Sequence, residues 1–487
     1  MTVSMLGYDY NQWTLAQVRA KLQSRLNDPN GCFWGTTELN FYLQEALDAF
    51  SVYGRYFSAK ATLLLPANTM EASLDSLTLT SGSGVESPVS FAVSGQKILT
   101  SSLLHLLETR QTSIGAVTLS GQFTSSLLNS YISLAVNQFL QDTSIFIQKK
   151  VYPSSPDIIS DQGYYTLPSD VSNLVRFLWT TPDGTTYPVM RQDSEFVNML
   201  DPTAWSRPGV PLHWSVATNN SRRIYVQPYP SDVGTTTLYY IPQVPSTVDL
   251  FSGDYTYTLP YEFWFAVKYL VLYRIYSTDG PTSYPSLAQY CAQRYSQLIQ
   301  LARDWTCIDD GWSEEEPMFI SNLSSFDQMY PTWLNRPSKD LEVTSSKPDT
   351  VFATYGSNRI FFPRKYTRDT SYTFDIARNV PTLSDTDYFP VGEDFLPSIL
   401  DYAEHLSLLK CGGQEFSQSM SLLNSFYSAC ARINSRITAN IPIDQSRAVS
   451  QWTRERVVNE FDTQEMGGTI NETLSTLSGN QSGRSGG

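Results

Sequence analysis

The sequence predicts an α+β protein: helical-bundle elements with small antiparallel β-sheets, internally duplicated in the order A, A′, B, B′. Three observations predict it. Residues 211–304 hold two strand-like runs, RRIYVQPYP and TTTLYYIPQVP, rich in β-branched and aromatic residues and closed by prolines. Two helical runs follow. Tyr261 to Tyr276 is apolar over most of its surface, and Leu287, Tyr290, Cys291, Tyr295, Leu298 and Leu301 keep close to helical period. The same unit then recurs. Arg223-Ile224-Tyr225 matches Arg359-Ile360-Phe361, and Val244-Pro245 matches Val380-Pro381, both 136 positions later. Glu262-Phe263 falls on Asp394-Phe395, and the helix pair returns as Phe395 to Lys410 and Phe416 to Arg436.

The front half is doubled too. Leu39, Tyr42, Leu43, Ala46, Leu47 and Phe50 share one helical face. They match Leu128, Tyr131, Ile132, Ala135, Val136 and Phe139 at an offset of 89. An extended piece follows each, ending Leu65-Pro66 and Leu167-Pro168. Solenoid and propeller repeats run roughly 20–50 residues, so periods this long indicate a duplicated domain or an intertwined pair. The resulting division is A over 1–98, A′ over 99–210, B over 211–304, a linker over 305–350, B′ over 351–440, and a C-terminal arm with a flexible tail over 441–487.

Taken in order, residues 10–28 form an amphipathic helix through Trp13, Val18, Leu22 and Leu26, ended by Asn30-Gly31. Thr36 or Thr37 caps the next helix, with Asn40 and Glu45 on its outer side. Arg55 to Leu79 is extended and Ser81 to Val89 is a loop. Leu99 to Thr109 is a short helix, and 123–142 is the second copy of the early helix. Val151 to Thr186 alternates like strands, and Phe196 to Pro211 is a turn-rich connector. Between B and B′, the acidic run from Asp309 to Pro317 reads as a solvated linker. From Gln464 the chain is Gly- and Ser-rich with few apolar residues, which is a tail without a core of its own.

At 487 residues the chain is long enough for a sizeable core and two to four domains. Its 30 tyrosines and low charged fraction of 16% suit large protein–protein contacts. The net charge of −14 opposes a sequence-reading nucleic-acid binder, which carries a basic patch. It is compatible with a wall that surrounds DNA without gripping it. Five cysteines (32, 291, 307, 411, 430) show no metal spacing; with no secretory signal, they read as reduced thiols, three of them in the core. The most apolar stretch, Phe263 to Tyr276, is shorter than the roughly 20 residues of a membrane span and carries Lys268 and Arg274.

Residues that carry chemistry are sparse. His105, His213 and His405 are isolated and have no HExxH or HxH partner. There is no GxSxG, P-loop or dinucleotide fingerprint, and SGSG at 81–84 lacks the lysine and helix that a phosphate loop needs. Asp309-Asp310 and Glu314 to Glu316 have no EF-hand spacing. Trp179, Trp205 and Trp214 lie near strands, where core packing is commoner than a sugar groove. Asn219, Asn322 and Asn471 head Asn-x-Ser/Thr triplets, read as chance without a secretory signal. No catalytic, cofactor-binding or metal-ligating residue is assigned, and no cofactor is expected.

The order of these elements resembles the head-to-tail adaptor (connector) proteins of tailed bacteriophages. It is carried by WTLAQVRAKLQSRLND, TELNFYLQEALDAFS, an extended segment ending LP, Pro211 to Trp214, RIYVQPYP, LYYIPQVP, and LPYEFWFAVKYLVLYRI with its following helix. The resemblance implies a structural virion protein made in the host cytoplasm and placed at the neck. It implies a homo-oligomeric ring between portal and tail or neck proteins, with DNA passing through and no membrane partner. This chain departs from the family by being doubled and long. Candidate interface residues are Leu39, Tyr42, Leu43, Phe50, Tyr225, Tyr239, Tyr240, Phe361 and Trp452. Two other classes compete: a virion-associated glycan-degrading enzyme, and a tail-fibre or receptor-binding protein. Long helices argue against the second.

Overall fold

The computed structural model describes residues 13–74, 77–81, 84–88, 125–152, 164–200, 206–217, 220–231, 234–244, 263–278, 284–313, 316–330, 332–335, 351–377, 382–411 and 413–440, with Thr203 and Val380. In chain order come α1 (Leu15–Arg25), α2 (Thr36–Gly54), β1 (Ser58–Leu65), β2 (Glu71–Ser73), β3 (Thr78–Ser81) and β4 (Gly84–Pro88). Next are α3 (Ser125–Thr143), β5 (Gln148–Tyr152), β6 (Tyr164–Thr166), β7 (Val171–Thr180), β8 (Thr186–Arg191) and α4 (Ser194–Leu200). Then follow β9 (Pro208–Gly209), β10 (His213–Ala217), β11 (Asn220–Gln227), β12 (Tyr229–Pro230), β13 (Thr235–Pro242), α5 (Trp264–Ser277) and α6 (Pro285–Asp304). The last part holds β14 (Ile308–Ser313), β15 (Glu316–Asn322), α7 (Leu323–Met329), β16 (Val351–Tyr355), β17 (Arg359–Phe361), β18 (Thr370–Ala377), α8 (Leu396–Cys411), α9 (Gly413–Gln418) and α10 (Met420–Asn440).

The chain forms two compact units. One takes residues up to Ala59, Lys97–Thr124 and those from Ile376 on; the other takes Lys60–Gln96 and Ser125–Asp375.

The first unit is helical. Thr14 starts α1 with a capping box: its hydroxyl accepts from Gln17 N–H, and the Gln17 side chain accepts from Thr14 N–H at 2.8 Å. Trp13 therefore lies before the helix. Asp28 then turns the chain, its carboxylate accepting from the backbone N–H groups of Cys32, Phe33 and Trp34 at 2.8–2.9 Å. The cap of α2 is Gly35, not a threonine side chain, and Thr36 is already helical. Glu45, expected on the outer side, is fully buried, because α2 is enclosed nearly all round by α1, α8 and α10. Phe50 meets Phe395 and Phe426, and Tyr53 meets Phe426 and Tyr427. The last long helix is interrupted. His405 Nδ1 lies 2.8 Å from Ser419 Oγ, and that hydroxyl donates to the Phe416 carbonyl, at the break between α9 and α10.

The second unit holds three packed helices, α3, α5 and α6, and two large sheets. These sheets are neither small nor purely antiparallel. One has seven strands in the lateral order β5-β13-β7-β8-β10-β11-β6. The other has nine, β2-β17-β16-β15-β14-β18-β1-β3-β4. β8 runs parallel to β10, and β15 runs parallel to β16. Each parallel pair is joined through a short helix, α4 or α7, as a parallel pairing requires a crossover. The cluster of Phe177, Trp179, Trp214, Ile224, Val226 and Leu238 forms the seven-stranded sheet's core, which places Trp179 and Trp214 in packing. Trp205 and the helix expected at Leu99 to Thr109 lie outside the described residues.

The two sheets share one plan. Read as an inner series, the elements run α3, β5, β6, β7, β8, α4, β10, β11, β13, α5, α6. An outer series runs α2, β1, β2, β14, β15, α7, β16, β17, β18, α8, α10. Both place their strands in the same lateral order, and β3-β4 extends the outer sheet beyond β1. Arg223-Ile224-Tyr225 lies on β11 opposite Thr166, Tyr165 and Tyr164; Arg359-Ile360-Phe361 lies on β17 opposite Ser73, Ala72 and Glu71. Leu167 N–H donates to the Arg222 carbonyl and Leu74 N–H to the Asn358 carbonyl, at 2.7 and 2.8 Å. Of the two Leu-Pro steps read from the sequence, Leu65-Pro66 lies at the end of β1 and Leu167-Pro168 directly after β6. Arg55 and Ser144 both end their helices in the left-handed region (φ 47° and 52°).

Other elements also depart from the sequence reading. Ser81 to Val89, read as a loop, contains β4, which pairs with β3. Phe196 to Pro211 contributes part of α4 and β9. Phe263 caps α5, which therefore begins at Trp264. The acidic run at 309–317 is not a linker. It belongs to the β14-β15 hairpin, inside the nine-stranded sheet. A Cβ on Gly311 would sit 2.9 Å from the Phe374 ring and 3.3 Å from Phe352, so glycine lets the aromatic layer close over this strand. Among the described residues no helix is long and apolar enough to cross a membrane. Gly311→Val is expected to lower stability by about 1–3 kcal/mol through overpacking, read as an earlier urea midpoint; an unchanged midpoint would refute the close approach.

Candidate functional site

Glu71 is the first residue of β2, the edge strand of the outer sheet. Its carboxylate collects three donors. Arg359 Nη1 donates at 2.6 Å from β17, Lys149 Nζ at 2.5 Å from β5, and the Tyr239 hydroxyl at 2.8 Å from β13. Arg359 belongs to the same sheet; Lys149 and Tyr239 belong to the inner one. The carboxylate therefore joins the two sheets. Tyr239 is 2% exposed, and burial first, then the Glu71 charge, pushes its phenol well above the ordinary tyrosine range. It stays a proton donor to Glu71. Rings of Tyr355 and Phe361 pack at 6.1 and 5.8 Å from the Tyr239 ring.

Backbone geometry extends the junction. The Asn358 amide pairs with Ile147 as a strand would: Nδ2 donates to its carbonyl at 2.9 Å, and Oδ1 accepts from its N–H at 3.1 Å. Arg359 Nε donates to the same carbonyl at 3.0 Å. Ser357 N–H donates to the Ile145 carbonyl at 2.6 Å. Gly356 sits at φ +63°, and a Cβ there would lie 2.7 Å from that carbonyl. Glycine is required on both counts. A second tie lies further along: Arg176 on β7 grips Asp327 on α7 with two hydrogen bonds at 3.0 and 3.1 Å, and Trp333 donates to the same carboxylate. The Asn335 amide bridges the N–H and carbonyl of Thr186.

The junction is made for holding. Cationic, phenolic and amide donors are consumed by one carboxylate and by backbone carbonyls, a pattern that fixes geometry. Among the described residues no group of three or more His, Cys, Asp and Glu is placed to hold a metal ion. Cys291, Cys307 and Cys430 are buried, and Cys32 is exposed. Asn322 caps α7, accepting from Ser325 N–H at 2.7 Å.

Most residues singled out in the sequence are placed inside the chain. Leu39, Tyr42, Leu43 and Phe50 are at most 1% exposed within the helical unit. Tyr239, Tyr240 and Phe361 are buried in the sheet unit, with Tyr239 and Phe361 at the junction. Tyr225 on β11 is half-buried, and Trp452 lies outside the described residues. The sequence reading missed Glu71, Lys149, Asn358 and Gly356. Arg359 carried a signal, since it repeats Arg223. Exposed apolar side chains are spread along the chain, from Phe33 and Leu64 to Tyr388; four of them, Met190, Phe196, Met199 and Leu212, lie on β8, α4 and the segment before β10. Met190 and Leu212 are tied by a backbone hydrogen bond.

Glu71→Ala leaves Lys149, Tyr239 and Arg359 facing one another without their acceptor. The expected loss is roughly 2–5 kcal/mol of unfolding free energy by chemical denaturation, against about 1 kcal/mol for Tyr239→Phe. Equal, small losses for both would refute the central place of the carboxylate.

No curated protein matches the chain. The family model described as SU10 adaptor protein matches residues 98–310, a span that runs from before α3 through the seven-stranded sheet, α5 and α6 to the start of β14. Over that span the chain is similar to SU10 adaptor proteins, in agreement with the resemblance to phage head-to-tail adaptors.

Proposed function

We propose that this chain is a structural subunit of the neck of a tailed phage, assembling with copies of itself into a ring between portal and tail. DNA passes through without sequence-specific contact. The observation that carries the reading is the match over residues 98–310, because it covers a whole inner series, from helix through sheet to helix pair. A structural role needs no catalytic group, and the junction at Glu71 supports such a role: its strong interactions are spent on rigidity. The net charge of −14 supports a channel wall that repels phosphate and lets a duplex slide.

The chain is read further as two copies of one module. The inner copy is inserted into the outer one between β2 and β14, so A is completed by B′, and A′ by B. The shared strand order, the matching registers of β11-β6 and β17-β2, and the paired left-handed residues Arg55 and Ser144 support this. The exposed Met190, Phe196, Met199 and Leu212, carried on neighbouring elements, are offered as a surface for another virion protein, since clustered apolar exposure marks contact sites. The segment after Asn440 serves in this reading as a tether that raises local concentration at a neighbouring ring.

The test is negative-stain electron microscopy and co-sedimentation of the pure protein, alone and with portal. Rings with a central hole that admits a duplex, co-migrating with portal, are expected. Compact monomers that do not co-migrate at any salt concentration would overturn the reading, and cleavage of murein or polysaccharide would then favour the enzyme alternative.

A further inference from the structure

We infer, on the two-copy reading above, that the β3-β4 pair is a cap that limits the module-to-module contact to one per chain. It fills on β1 the strand edge that on β5 receives the other module. Copies of the chain then meet through a different surface from the one that joins the two modules.

β1 and β5 hold the same place in the two series. Each is the first strand after a helix that ends in a left-handed residue, Arg55 or Ser144. Each lies beside the last strand of its series, β18 or β13. Their other edges are treated differently. On β5 that edge meets the outer series. The Asn358 amide bonds to both backbone groups of Ile147, Arg359 Nε donates to the same carbonyl, and Lys149 reaches Glu71. On β1 the corresponding edge is taken by β3, with Ala61 opposite Leu79 and Thr62 opposite Thr78. Among the described residues the inner series has no counterpart to β3 and β4, and β5 ends the seven-stranded order.

The pair exchanges an edge suited to pairing for one that is not. β1 runs eight residues, SAKATLLL, without a proline, and Leu64 on it is 58% exposed. An uncovered edge of that length is a template for another chain. β4, the outermost strand, has only five residues. Its register on β3 shifts between Thr78 and Thr80, and its last residue, Pro88, stands opposite Thr78 and brings no N–H. A short strand, an irregular register and a proline are devices that keep a sheet edge from recruiting a neighbour. The outer series therefore ends its sheet on a blunt strand, at the side where the inner series is covered by its partner module.

The experiment compares the full chain with two variants. In one, residues 78–88 are replaced by a short Gly-Ser linker. The other, Thr78→Pro with Leu79→Pro, keeps the length and removes two backbone N–H groups of β3. Sedimentation velocity over a concentration series is expected to show one discrete species for the parent. Both variants are expected to associate further, into particles that grow with concentration, from a concentration at least tenfold below any at which the parent does so. A synthetic peptide of residues 77–90 is expected to return the deleted chain to the parent's species. Variants that sediment like the parent would overturn the cap. So would association that the peptide leaves unchanged, since that reports misfolding rather than a vacated edge. Cross-linking separates the cap from the two-copy reading. With the exposed Cys32 changed to Ser, one tagged deleted chain carries Lys60→Cys and a second carries Arg223→Cys. These are the counterparts of Lys149 and Arg359, which meet on Glu71. A bismaleimide-linked dimer with both tags is expected. Peptide-reversible association without that dimer keeps the cap and sinks the two-copy reading.

Discussion

One carboxylate holds the sheet unit together. Glu71 stands at the edge of the nine-stranded sheet, where an unpaired strand edge would otherwise offer itself to any extended chain. Lys149 and Tyr239 reach it from the other sheet, and Arg359 reaches it from its own. With its acceptor in place, Tyr239 is buried as a neutral donor rather than as an orphaned hydroxyl. The Tyr355 and Phe361 rings then close around it. The Asn358 amide and the glycine at 356 extend the same edge onto Ile145 and Ile147. Remove the acid, and three polar side chains lose the reason for their positions.

Part of the fold was legible in the sequence, through helical period and strand composition. Arg223-Ile224-Tyr225 and Arg359-Ile360-Phe361 were matched in the sequence, and each lies on a strand that buries its central isoleucine beside an edge strand of its sheet. The helical match at offset 89 was found because an enclosed helix repeats its apolar spacing. The β14-β15 hairpin was not found. Its acids satisfy the statistics of a solvated turn, and only the aromatic layer over Gly311 reveals a strand. Glu45 was assigned to the surface for the same reason: charge usually faces water, and α2 is enclosed by helices from the far end of the chain.

The junction itself was nearly invisible in the sequence, because its parts come from β2, β5, β13 and β17, which are distant along the chain. Tyr239, Tyr240 and Phe361 were picked as interface aromatics and are buried instead. Aromatic residues mark large buried area before they mark a partner. In Tyr239 the two meanings meet. It lies in the core of the unit and also at a boundary between two sheets that follow one plan.

The placement of residues 125–304 between β2 and β14 has a consequence for how the chain acquires its structure. The inner sheet closes with strands that are near one another in sequence, whereas β2 pairs with β17 across nearly three hundred residues. Loop closure of that length is slow, and exposed edges aggregate while they wait. Residues 125–304 are all synthesised before β14. On the two-copy reading proposed above, an inner series that folds as a unit shortens the effective loop that β2 and β17 have to close. The inserted module is then a built-in scaffold for the sheet that surrounds it in sequence.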